Sequence, residues 1–265
     1  MVFPPPYFRE AGAGEGVVCI HSNASASAQW RPLMERLSPR FRVFAPDSLG
    51  AGKNPAWPAD RAISLRDEAA LLEPVFSLAG SPLSLVGHSY GGAVALIAAL
   101  ARPERVRALA LYEPTLFSLL EEESPGGEAA DGIRRAALDA ADAIDAKDPA
   151  AAGARFIDYW MGDGTWRAMP ESRQAVVAGS MTNVRGWAHA LLTDPTLLQA
   201  FRTLDVPVLY MVGAKSPPSS RGVARLLTGV LPKVTLIEFP ELGHMAPVTH
   251  PEPVNEAIAQ FLERR

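Results

Sequence analysis

Short unbroken apolar runs alternate along the chain with longer stretches in which apolar residues recur every three or four positions. The runs cover residues 17–20, 41–45, 83–86, 108–112, 208–212 and 234–239, and each closes on a cluster of Gly, Pro, Ser or Asp. Runs this short, with β-branched or aromatic members, are the pattern of parallel strands buried on both faces. Residues 7–10 give a weaker signal and read as an edge strand. Between the runs, Ala28, Trp30, Leu33 and Leu37 share one helical face, and Ile63, Ala69, Leu72 and Phe76 share another. Residues 91–101 are small and apolar throughout, as a helix tucked against a sheet would be, and Val254, Ile258, Phe261 and Leu262 mark a last helix. Strands alternating with helices predict an α/β fold, a doubly wound and mostly parallel sheet covered on both faces.

The alternation stops between Thr115 and Asp205. Ile133, Ala137, Ala141 and Ile144 repeat at helical spacing there, and Asp148-Pro149 opens a further helix, Asp as cap and Pro at the first turn. An insertion of roughly 85–90 residues is too long for a loop. The expected organisation is a core formed by residues 1–117 and 201–265, with residues 118–200 as a helical cap inserted between two strands.

Composition narrows the classes further. Of 265 residues 48% are hydrophobic and 20% charged, with a net charge of -4, which argues for an ordered globular chain and gives no electrostatic case for nucleic acid. The apolar runs fall far short of the roughly 20 residues a membrane helix needs. The opening MVFPPPYFRE has neither a basic nor an apolar leader segment, so a cytoplasmic protein is expected. Cys19 is the one cysteine, which excludes a disulfide framework and a cysteine metal cluster; no pair of histidines has ligand spacing, and no metal or cofactor is expected. The expected partner is a small molecule, and the expected assembly a monomer or small homo-oligomer. The 21 Gly and 24 Pro imply many tight turns, several of which fall where chemistry is expected.

The first of these is Gly87-His88-Ser89-Tyr90-Gly91, set between the run at 83–86 and the small-residue helix. A G-x-S-x-G sequence at a strand-to-helix turn is a nucleophile elbow: the serine sits on strained backbone, and glycines on either side let strand and helix pass closely. With this motif the chain resembles the α/β-hydrolase superfamily over nearly its whole length, as a capped, esterase-like serine hydrolase. Ile20-His21-Ser22-Asn23 is similar to the family's oxyanion loop, with Ser22 in place of the usual Gly. The resemblance implies that the backbone N–H groups of Asn23 and Tyr90 bind an oxyanion. The stretch at 45–52 is similar to a structural turn of the family, with Asp47 as a turn stabiliser. Gly50-Ala51-Gly52-Lys53 lacks phosphate-loop spacing.

The family's order is nucleophile, acid, histidine. Gly243-His244-Met245 resembles the catalytic-histidine loop, while His21, His88, His189 and His250 read as structural. The acid departs from the majority pattern. After the run at 208–212 the turn reads Gly213-Ala214-Lys215-Ser216, with Ser216 where most members carry Asp. The preceding strand ends in Tyr112-Glu113-Pro114, and some hydrolases of the superfamily hold their acid there. The expected triad is therefore Ser89, Glu113 and His244, with Asp194 and Glu241 as the other acids to weigh.

Such a triad carries out acyl transfer to water through a covalent intermediate, without a cofactor. A serine at the elbow argues against haloalkane dehalogenases and epoxide hydrolases, which use Asp, and Cys19 is misplaced for a dienelactone-type nucleophile. The leading expectation is hydrolysis of a small to medium, largely apolar carboxylic ester or lactone. Hydrolysis of a carbon–carbon bond in a vinylogous diketone or of an amide, acyl transfer to an alcohol or thiol, and a slow ligand receptor remain alternatives. His88, Trp160, Met161, Trp166, Met181, Trp187 and Met245 are the candidate pocket residues, the aromatic and Met members of the cap being equally able to form the cap's own core.

Overall fold

The computed structural model describes residues 4–57 and 61–265; residues 1–3, part of the opening read for a leader, lie outside them. Among the described residues seven strands form one sheet: β1 (Phe8–Ala11), β2 (Glu15–Ile20), β3 (Phe41–Pro46), β4 (Leu83–His88), β5 (Val106–Tyr112), β6 (Val208–Gly213) and β7 (Val234–Phe239). Their order is β1-β3-β2-β4-β5-β6-β7, with β1 antiparallel to β3 and all other pairs parallel. The chain leaves β2 towards one edge and returns to β4 on the other side. This places a topological switch point between β2 and β4, where open α/β sheets hold their ligands.

The sheet divides two apolar layers. Along β2, Val17 and Cys19 face a layer completed by α1 (Arg31–Leu37) and by α12 (Pro251–Leu262), which follows the short α11 (Ala246–Thr249), through Leu33, Leu37, Val254 and Ile258. Val18 and Ile20 face the opposite layer, completed by α2 (Leu65–Ala79), α3 (Tyr90–Ala101) and α10 (Pro218–Val230). Period-two strands thus meet period-3.6 helices on each face. Cys19 is fully buried, and burial pushes its thiol far up, so it is an inert part of the core.

Two details differ from the expected pattern. β7 reads in sequence as a buried strand, yet Leu236 is 51% exposed, because β7 is the sheet edge and has a neighbour on one side only. The helix expected through Ala28 and Trp30 begins as a 3-10 turn at Ser27–Trp30 and becomes α-helical at Arg31, next to Pro32.

Between β5 and β6 the chain forms α4 (Ser118–Glu123), α5 (Glu128–Asp145), α6 (Pro149–Met161), α7 (Thr165–Ala168), α8 (Glu171–Ser180) and α9 (Val184–Leu192). Asp148 caps α6 by accepting a hydrogen bond from the Ala151 N–H at 2.9 Å. No helix among the described residues is long and apolar enough to cross a membrane.

Candidate active site

The three side chains singled out in sequence meet at the carboxyl ends of β4, β5 and the loop after β7. Ser89 follows β4 with φ 56° and ψ −118°, a conformation that L-residues rarely adopt. Its neighbours enforce it. The Ser89 N–H donates to the Tyr112 carbonyl of β5 at 2.9 Å, and the Ser89 carbonyl accepts from Ala93 and Thr115. Close approach explains the flanking glycines. A Cβ on Gly91 would lie 2.2 Å from the Ile20 carbonyl oxygen, and one on Gly87 would lie 2.6 Å from that of Gly91.

Glu113 also takes a left-handed conformation, φ 45°, its N–H donating to the Met211 carbonyl of β6 at 3.0 Å. Because β4 and β5 pair His88 with Tyr112, the residues just beyond them, Ser89 and Glu113, sit side by side. His244 bridges them. Its Nε2 is 2.9 Å from the Ser89 Oγ and its Nδ1 is 2.6 Å from the Glu113 Oε2. All three are buried. The other acids are engaged elsewhere: Asp194 accepts from the Thr196 N–H, and Glu241 pairs with Lys215 on the surface, where that cation holds its carboxyl below the usual range.

Ser216 has a part that sequence reading missed. It does not replace the missing aspartate; its Oγ donates to the Glu113 Oε1 at 2.5 Å, and the Gly213 N–H donates to the same oxygen at 2.7 Å. The turn that lacks an acid therefore holds the carboxylate from the neighbouring strand, β5. Ser220 adds a hydroxyl 3.3 Å from the His244 Nδ1. Charge-assisted hydrogen bonds of this kind contribute about 1.5–3 kcal/mol, so Ser216→Ala should lower stability by about that amount in a urea melt. A loss of stability within experimental error would show that Glu113 needs no support from this turn.

Behind the histidine, a second polar chain links the loops. The His88 Nε2–H donates to the His244 carbonyl at 2.8 Å, and the His88 Nδ1 accepts from the Gln29 side-chain amide at 3.1 Å. The Gln29 Oε1 accepts from both the N–H and the hydroxyl of Ser22. Burial lowers the His88 pKa well below the ordinary imidazole value, which keeps the ring neutral with one donor and one acceptor. His88 is thus a buried tie under His244, away from the pocket wall where it was expected. Tyr112 supports the same loop by donating to the Gly243 carbonyl at 2.9 Å. No short-range sequence pattern announces Gln29 or Tyr112, whose partners are 59 and 131 residues away.

The loop after β2 holds its shape without a glycine at 22. Ser22 has no positive φ; that conformation falls at Ala24, φ 54°. His21 bridges this loop to the next one, its Nδ1–H donating to the Ser22 carbonyl and its Nε2 accepting from the Ser48 N–H. Asp47 accepts from the Ser27 and Lys53 N–H groups, tying together the turn that follows β3. Glu68 accepts from the Leu49 N–H, and burial pushes its carboxyl up to about 8, so it sits there as a neutral acid near pH 7.

A cavity of about 40 Å³ lies between Asn23, Phe117 and the helices of the insertion, walled by Ile133, Phe156, Trp160, Val184, Trp187 and Leu191 among others. Among the described residues its lining carries no charged side chain. Of the expected pocket residues, Trp160 and Trp187 line this cavity. Met161 and Met245 instead line a wider surface groove of about 520 Å³ on the outer side of His244. Trp166 takes a different place: its ring lies so close to Gly153 that a Cβ there would come within 2.7 Å of it, so it packs α7 onto α6. Met181 is fully buried in the 3-10 turn after α8. Trp160 does more than line a wall. Its indole stacks on the His244 ring, with centroids 3.9 Å apart and planes 22° apart.

A serine on a strained strand-to-helix turn, joined through a histidine to a carboxylate on the neighbouring strand, defines the class of nucleophile-elbow enzymes. The chain belongs to the alpha/beta hydrolase fold family, whose model matches residues 16–251. It is 24% identical to the (E)-2-((N-methylformamido)methylene)succinate hydrolase of Acinetobacter baylyi, over 97% of this chain and 94% of that protein. A pimeloyl-acyl-carrier-protein methyl ester esterase of Chromobacterium violaceum is 27% identical, over 95% of this chain and 96% of its own length. Among solved structures, a hydrolase from Oleispira antarctica superposes with a TM-score of 0.80 at 19% identity, covering 98% of this chain and 95% of that one. Hydrolysis is the activity these names share.

Proposed function

We propose that this protein is a serine hydrolase of carboxylic esters or lactones whose acyl group is small and apolar, with residues 118–200 acting as the cap over the site. The observation that carries the reading is the continuous, buried hydrogen-bonded chain from the Ser89 Oγ through His244 to Glu113, with Trp160, which stacks on His244, also lining an apolar cavity. In this mechanism His244 takes the hydroxyl proton as Ser89 attacks the carbonyl, and Glu113 supports the imidazolium that forms. Tyr90 opens α3, so its N–H is one of the free first-turn donors, and the helix dipole favours negative charge there. With the N–H of Asn23 it would stabilise the tetrahedral oxyanion. His244 then returns its proton to the leaving alcohol, and water attacks the acyl-enzyme with His244 again as base.

The uncharged lining supports a neutral acyl group. A cavity of this size holds about three waters, which an acyl chain of a few carbons would displace. The test is a panel of p-nitrophenyl esters. Acetate and butyrate should be turned over at least about tenfold faster, in kcat/KM, than a hemisuccinate of the same alcohol, because burying an unpaired carboxylate in this cavity is costly. A preference for the hemisuccinate would overturn the acyl assignment. No Ser89-dependent turnover of any ester or lactone would overturn the ester hydrolase reading. Product partitioning towards added alcohol in preference to water would make the enzyme an acyltransferase.

A further inference from the structure

We infer that Trp160, a residue of the helical insertion, is a positioning residue for His244. This rests on the proposed role of His244 as the base for Ser89. Two hydrogen bonds fix the imidazole within its own plane, at Nε2 by Ser89 and at Nδ1 by Glu113. Neither resists motion of the ring out of that plane. The indole, 3.9 Å away and nearly parallel, blocks that motion on one face.

The indole is itself fixed. Phe117 stacks against it at 6.2 Å, and Tyr159 meets it edge-on at 4.9 Å. Tyr159 in turn shares a hydrogen bond of 2.7 Å with Ser219 in the first turn of α10, and the next residue, Ser220, is the hydroxyl beside the His244 Nδ1. Two adjacent residues of α6 and two adjacent residues of α10 thus bracket the base. The contact also has an electrostatic consequence. The face of an indole attracts a cation, and the imidazole becomes one only as Ser89 attacks. Trp160 therefore favours the charged state reached during reaction over the neutral ground state, the kind of difference that raises a rate constant without tightening substrate binding.

The experiment follows covalent labelling of Ser89 by alkyl fluorophosphonates. The Ser89 Oγ bonds to phosphorus, fluoride leaves with the electron pair of the P–F bond, and the hydroxyl proton passes to His244. The labelling rate reports on the base without requiring the correct acyl substrate. With the smallest, methyl-substituted probe, Trp160→Leu should slow labelling by about tenfold or more, while Trp160→Phe, which keeps an aromatic face, stays within about threefold of wild type. Tyr159→Phe keeps every ring and removes only the tie to Ser219; labelling should slow by at least about threefold, the equivalent of roughly 0.7 kcal/mol. A melting curve on each variant establishes folding, and if Trp160→Leu does not fold, Tyr159→Phe decides alone. Trp160→Leu and Tyr159→Phe proteins that label the small probe at the wild-type rate, differing only in their response to longer alkyl chains, would overturn the inference and leave Trp160 as a wall. Labelling that depends on Ser89 and Trp160 in a protein that cleaves no ester would overturn the substrate reading and uphold this one.

Discussion

Ser89→Ala should lower kcat for any ester substrate by about a millionfold while leaving KM within a few-fold, since the serine and its base act as a unit. The alternatives to Ser89 are weak. Cys19 is sealed in the core with its thiol held protonated, and the hydroxyls of Ser216 and Ser220 face the acid and the far nitrogen of His244. The double variant Ser89→Ala/His244→Ala should be no slower than the single one, because removing either member already disables the unit. Steady-state kinetics with p-nitrophenyl butyrate, at enzyme concentrations high enough to see the residual rate, provide the measurement. Retention of more than about a hundredth of the wild-type kcat would mean that the attacking atom lies elsewhere.

Glu113→Gln should cost about ten-thousandfold in kcat, and the surroundings of the carboxylate explain why the loss is so deep. Both the Ser216 hydroxyl and the Gly213 N–H donate to Oε1. A glutamine here must present its carbonyl oxygen to those two donors, which turns its NH₂ towards the His244 Nδ1. That nitrogen then has to accept, so the ring proton moves to Nε2, and the face towards Ser89 can no longer take a proton. The variant would be folded and would hold the wrong tautomer. A fall in kcat with little change in melting temperature is the expected signature; activity within tenfold of wild type would mean that another group supports the imidazolium.

The strands were legible because parallel strands covered on both faces must be continuously apolar, as residues 83–86 and 108–112 are. β7 was legible as a strand but not as an edge, since sheet order depends on crossovers that leave no local mark. In the insertion, α5 announced itself by its periodicity, whereas the four residues of α7 are too few to show any. The grouping of Ser89 and His244 was expected from motif and chain order, and that of Glu113 from the resemblance to hydrolases that hold their acid at the end of the preceding strand. What stayed hidden were contacts between residues far apart in sequence: Gln29 with His88, Ser216 with Glu113, Trp160 with His244. A tryptophan in a helical pattern looks the same whether it fills a core, walls a cavity or covers an imidazole. Only its neighbours distinguish the three.

The position of the acid has a consequence for how such a protein can change. Ser89 and Glu113, the proposed nucleophile and acid, belong to one short β–α–β unit, β4-α3-β5, completed before the chain enters the insertion. Helices of that insertion can therefore be lengthened, trimmed or exchanged without disturbing the spacing of those two groups. On the proposed function, the module that meets the substrate is free to diversify while the reactive pair is inherited intact. On the inference drawn above, the exchange carries one condition: an aromatic face at the position of Trp160, without which a transplanted insertion would keep the serine and the carboxylate in register but leave the histidine between them free to tilt.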